Sequence, residues 1–86
     1  MPQFAFDVIH ISARINAKIN SDHGVSGEDV ADATDRVVAA RWDTDSDGNP
    51  RLYVKGRCGA GRLIFVSLYP AGAHGEWNLA TAFPIA

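Results

Sequence analysis

With 86 residues and a net charge of −2, the chain has room for one domain and one modest core. Its 47% apolar content supports such a core unaided, and a single cysteine, Cys58, excludes an internal disulfide and any multi-cysteine metal site. The slight acidity excludes a chain that is basic throughout, so contact with nucleic acid would require segregated cations.

Phe4 and Phe6 fit a short first strand or an N-terminal packing segment. The next stretch carries two periods at once. Ile9, Ile11, Ala13, Ile15, Ala17 and Ile19 alternate with polar residues, as in a strand. Val8, Ile11, Ile15 and Ile19 also fall within about 80° on a helical wheel. Strands seldom run to a dozen residues, so a helix is expected over about residues 8–21. Gly24 breaks it. Ser26 is a good N-cap, with Asp29 three residues on as its capping-box partner. Val25 and Val30 stand where a hydrophobic staple belongs. A second helix is predicted over about 27–35.

From Val37 the pattern turns to strands, expected at about 37–42, 51–55, 62–69 and 77–83 and separated by Asp/Gly/Pro-rich turns. The chain therefore reads as one α+β domain: two N-terminal helices on a four-stranded antiparallel β-meander. No apolar run approaches the ~20 residues of a membrane helix. No basic leader precedes an apolar stretch, so no signal peptide is expected. The lone cysteine fits a reducing cytoplasm.

The residues that invite chemistry are mostly basic. On the predicted first helix His10, Arg14 and Lys18 share one face at i, i+4 and i+8. An imidazole beside two cations can hold a phosphate and move a proton next to it. The competing reading is a solvated helix face. His23 follows just past the helix, where it can act in a site or simply cap the C-terminus. Lys55, Arg57 and Arg62 flank Gly56, Gly59 and Gly61. Such a turn can present backbone amides and guanidinium donors to an anion. It can also be a plain hairpin, and it lacks the Gly-Lys-Ser/Thr ending of a P-loop. Cys58 lies in this turn with no partner group to give it a role. Trp42 and Trp77 read as core or rim residues.

Asp43, Asp45, Asp47 and Gly48 match the first half of an EF-hand calcium loop. The twelfth position, which needs a bidentate glutamate, is Val54, and Pro50 interrupts the loop. A polar hairpin turn is the better reading. No metal and no cofactor are expected.

His23-Gly-Val-Ser26 running into Glu28-Asp29-Val30 resembles the early segment of BrnT-type toxins of type II toxin–antitoxin pairs. Arg51 to Gly56 and Gly61 to Val66 resemble that family's next two strands. The ending Trp77-Asn-Leu-Ala-Thr81-Ala-Phe83-Pro84 is similar to the closing strand of the wider barnase–colicin–RelE-like ribonucleases. The resemblance implies an RNA-cleaving toxin neutralised by a cognate antitoxin protein. His10 would then match an early active-site histidine, and Thr81 a hydroxyl on the last strand. Arg51 and Arg62 would match basic strand positions. Phe83 stands where BrnT-type chains tend to carry a terminal arginine, and the family's basic character is absent.

The expected mechanism is metal-independent phosphodiester cleavage. His10 takes the proton from a ribose 2′-hydroxyl, and Arg14, Lys18, Arg57 or Arg62 stabilise the charged transition state. Thr81 positions the phosphate or the leaving oxygen. His23, Arg51 and Lys55 assist in binding RNA. A homodimer is compatible with the chain. The alternatives are a non-catalytic protein-binding module on the same fold and a small-ligand site between the sheet and the first helix.

Overall fold

The computed structural model describes residues 4–59 and 61–85. The elements are β1 (Val8–His10), α1 (Ala13–His23), α2 (Gly27–Asp35), β2 (Val37–Thr44), β3 (Pro50–Arg57), β4 (Leu63–Pro70) and β5 (Glu76–Pro84). One sheet has the order β1-β5-β4-β3-β2. The four later strands form the expected antiparallel meander. β1 adds a fifth strand, parallel to β5, with Ile9 opposite Trp77. The sheet is therefore mixed.

The expected helix over 8–21 divides at Ser12. Both of its periods are real, each over half the segment. Val8–His10 obey the strand period against β5, and the amides of Asp7 and Val8 donate to Gly75 O at 2.8 and 3.0 Å. Ser12 then takes extended dihedrals and its hydroxyl accepts from Ile15 N, which starts α1. From there Ile15 and Ile19 follow the helical repeat, Ile19 fully buried, while Ile11 packs on the core from just before the cap. Gly24 ends α1 at φ 65°, a left-handed conformation that glycine adopts without steric cost. Its amide reaches Asn20 O, and that of Val25 reaches Ile19 O.

The start of α2 is as read from the sequence. Ser26 Oγ accepts from Asp29 N at 3.2 Å, and Asp29 Oδ2 accepts from Ser26 N at 3.0 Å. Val25 and Val30 are both buried.

Both helices cover one face of the sheet. Leu52, Val54, Ile64, Val66, Leu68, Leu79 and Ala82 meet them there. The N-terminal segment caps one end of this face, with the Trp77 indole donating to Ala5 O at 2.8 Å. Phe4 meets Trp42 edge-on, and Phe6 packs on Trp77. Cys58 is buried, which removes it from solvent chemistry.

α2 approaches β3 closely at Gly56. A Cβ at position 56 would land inside the Ala33 peptide. Gly56→Ala is expected to lower the free energy of unfolding by about 2–3 kcal/mol through forced separation of α2 from β3. Urea unfolding monitored by tryptophan fluorescence measures it.

Candidate active site

The helix-free face of the sheet is organised in rows by strand register. The first row crosses the sheet from His10 through Asn78 and Tyr69 to Arg51. His10 pairs with Asn78, and Asn78 with Tyr69. The Arg51 guanidinium lies 5.0 Å from the centroid of the Tyr69 ring. A second row holds Thr81, Ser67, Tyr53 and Arg41; a third holds Phe83, Phe65 and Lys55.

A groove of about 570 Å³ opens over the first row. His10, Arg14, Arg51, Tyr69 and Asn78 line it, with Ser12 at the helix entrance. The break at Ser12 brings the α1 N-terminus to its wall. Helix N-termini carry about half a positive charge and point unpaired amides outward. The first turn of α1 contains no acid to neutralise that charge, whereas α2 carries Glu28 and Asp29 there.

His10 Nε2 lies 2.5 Å from Glu76 Oε2, with the imidazole half exposed. The carboxylate orients the ring. Arg51 is held from the opposite side, its Nη2 donating to Asp45 Oδ2 at 3.2 Å. Its Nε is buried and has no partner. The guanidinium fork is thus anchored with donor capacity to spare.

Asp45 organises the hairpin that positions Arg51. Its Oδ1 accepts from the amides of Asp47 and Asn49, each at 2.9 Å. The Asn49 amide foremost, with Arg51 and the Asp47 amide adding, outweighs desolvation and holds the Asp45 carboxyl below the usual carboxylate range. These bonds close the loop as a polar hairpin turn. Among the described residues no cluster of His, Cys, Asp or Glu has the arrangement of a metal site.

The predicted basic residues divide between two ends of the sheet. His10, Arg14 and Arg51 meet at the groove. Arg57 lies six residues along β3 from Arg51, about 20 Å at ~3.3 Å per residue. Its Nη1 closes the β3–β4 turn on Gly61 O at 3.0 Å. Arg62 ties that turn to the helices, reaching Gly24 O and Asp29 Oδ2 at 3.3 Å each. The expected convergence of the glycine turn with His10 is therefore absent. Arg57 and Arg62 are held at the opposite end because their own hairpin requires them.

Lys18 stays exposed on α1, outside the lining of the groove. Thr81 is half-buried in the second row, opposite Ser67. Lys55 stands in the third row, and the His23 ring lies 5.8 Å from that of Phe83. Glu76, Tyr69 and Asn78 were not singled out from the sequence. Glu76 is 66 residues from His10 in sequence, and only the parallel pairing of β1 with β5 joins them.

No family model matches the sequence, and no curated protein matches it. Among solved structures, the 1.1 Å crystal structure of the Brucella abortus ribonuclease toxin BrnT matches with a TM-score of 0.67 at 18% identity. The match covers 92% of this chain and 96% of that one. The chain has the BrnT fold. The fold resemblance inferred from short motifs is therefore present across almost the whole domain, with the β1 strand making the sheet five-stranded. No helix among the described residues is long and apolar enough to cross a membrane.

In this BrnT-fold chain the Asp45 turn carries a testable pH dependence. A carboxyl with a depressed folded-state pKa adds stability above its unfolded value and loses it as pH falls through the folded value. Asp45→Asn should lower the urea midpoint at pH 7. The gap from the unaltered chain should narrow as pH drops below about 4, where the unfolded carboxyl protonates. Urea titrations at pH 7 and pH 3 measure both effects.

Proposed function

We propose that the chain is an RNA-cleaving toxin domain whose chemistry is carried by the His10–Glu76 couple. The supporting observation is the meeting of that couple with Arg14, Arg51 and an unneutralised helix N-terminus over one groove. The BrnT fold is consistent with it.

Glu76 accepts the Nε2 proton of His10, which leaves the Nδ1 lone pair of the neutral ring to take the proton from a ribose 2′-hydroxyl. The 2′-oxygen attacks the adjacent phosphorus and the bond to the 5′-oxygen breaks. The products are a 2′,3′-cyclic phosphate and a 5′-hydroxyl. Arg14, Arg51 and the α1 amides bind the phosphate and the charge that grows on it. Tyr69, beside the Arg51 guanidinium, supplies the proton to the leaving oxygen. Thr81 and Lys55 contact the strand beyond the cleaved bond. Every step uses side chains of this protein, so cleavage is expected to proceed in EDTA.

Antitoxin binding belongs on the other side of the molecule. A groove of about 590 Å³ there has apolar walls from Phe4, Phe6 and Ile9 and acidic edges from Asp7, Asp32 and Asp35. A basic, amphipathic segment of a partner protein suits it by charge and by apolar contact. The same groove favours the second reading, a non-catalytic protein-binding module.

The two readings separate on one assay. Purified protein should cut RNA in EDTA, and His10→Ala should slow cleavage by about 10²- to 10⁴-fold, the usual contribution of a general base. Glu76→Gln should reduce kcat with little change in KM, because it misdirects the ring without touching substrate. Absence of cleavage, or equal cleavage by His10→Ala, leaves the binding module. Gel analysis with end-group mapping reads the products.

A further inference from the structure

The aromatic rings of the second and third rows of the open face take no part in the proposed chemistry. Tyr53 and Phe65 lie with ring centroids 5.3 Å apart, and Phe65 and Phe83 stack at 4.9 Å with planes 26° apart. His23 extends the series from the end of α1, 5.8 Å from Phe83. No helix covers these rings, and Phe83 is 37% exposed. Arg41 lies 5.9 Å from the Tyr53 ring centroid, and Lys55 stands next to Phe65. A hollow of about 300 Å³ opens among Arg41, Tyr53, Lys55 and Phe65.

We infer that this face is a stacking platform for single-stranded RNA, leading the strand into the His10 groove. Aromatic rings with exposed faces accept unpaired bases of any sequence, and flanking cations hold the phosphates. A duplex hides its base faces and cannot use such rings.

Charge separates this occupant from an acidic protein only in combination with the rings. Asp43 is already paired with Arg41 at 3.3 Å, and Glu76 with His10. Arg41 and Arg51 are thus already paired, with Asp43 and Asp45, whereas among the described residues Lys55 and Arg57 have no carboxylate within salt-bridge distance. A row of rings with Lys55 and Arg57 beside it on β3 offers its outer ring faces to bases and its cations to phosphates. The platform is also continuous with the groove. Four residues of β3 separate Arg51 from Lys55, about 13 Å at ~3.3 Å per residue. The inference rests on RNA as the substrate, and it is tested by binding alone.

The probe is a fluorescein-labelled 2′-O-methyl oligonucleotide of about ten nucleotides, uncleavable and within the usual span of such surfaces. Fluorescence anisotropy at low salt should show binding to the single strand and weaker binding to the matching duplex. Phe65→Leu with Phe83→Leu keeps apolar volume and removes the π-faces. Loss of one stacked base costs roughly 5- to 150-fold in affinity, so this variant should bind at least about tenfold more weakly. Lys55→Ala, at an exposed position, should reduce the slope of log affinity against log salt by about 0.7. It serves as an independent reading should the double variant fold poorly.

Equal binding of duplex and single strand, or a Lys55→Ala slope equal to that of the unaltered chain, overturns the platform. So does undiminished binding by a folded Leu variant. A face that binds neither oligonucleotide also overturns it, and points to an acidic protein as the occupant. Binding as expected without cleavage of natural RNA keeps the platform and removes the nuclease. Cleavage without ring-dependent binding does the reverse.

Discussion

One extra residue in β5 sets the face of every functional group on that strand. Leu68 pairs with Leu79 and Ser67 with Thr81, so Ala80 has no partner across the ladder. A strand without this bulge alternates strictly. Trp77, Leu79, Thr81 and Phe83 would then share one face. With the bulge, Leu79 and Ala82 both enter the core, while Asn78, Thr81 and Phe83 all reach the open face. The bulge thus serves two demands at once: a continuous apolar floor under α1 and a continuous polar and aromatic surface opposite it. Val38 plays the same part in β2, where Val37 and Ala40 both turn inward.

Behind the small net negative charge the acids and bases are partly segregated. Glu28, Asp29, Asp32 and Asp35 all lie on α2, on the far side of the sheet from the first row. Arg41, Arg51, Lys55 and Arg57 alternate along β2 and β3 onto the open face. Strand alternation performs the segregation, because charges two residues apart share a face and apolar residues between them fill the other. Net charge alone was therefore a poor guide to what this surface can hold.

Local signals were legible and long-range ones were not. The capping box at Ser26, the Gly24 break and the four later strands follow from side-chain and backbone preferences within a few residues, and all are present. The residues from Val8 to Ile11 satisfied both periods, and local propensity could not decide between them. The deciding partner is the edge of β5, nearly seventy residues away in the sequence. Glu76 went unnoticed for the same reason. The grouping of Arg57 and Arg62 with His10 failed on a related point: similar charge does not bring residues together, and register places these arginines at the other end of β3. A hint of the bulge was available in the apolar spacing of Trp77, Leu79 and Ala82, which changes from two to three.

The division of residues 8–21 also changes what His10 is able to do. On a continuous helix, His10 would sit in the first turn with its orientation set by exposed neighbours. At the end of a paired strand its backbone is fixed by β5, and Glu76 fixes its ring. The chain must then turn before α1 can begin, and that turn is where Ser12 exposes the helix N-terminus. A strand ending beside a helix start therefore gives a proton carrier and an anion site from adjacent residues. Arg51, steered by the Asp45 hairpin from the opposite strand, closes the groove from the far side. The anchored arginine of the groove is therefore Arg51 from β3, which no helical spacing could have brought to His10, while Arg14 stands exposed at the groove wall.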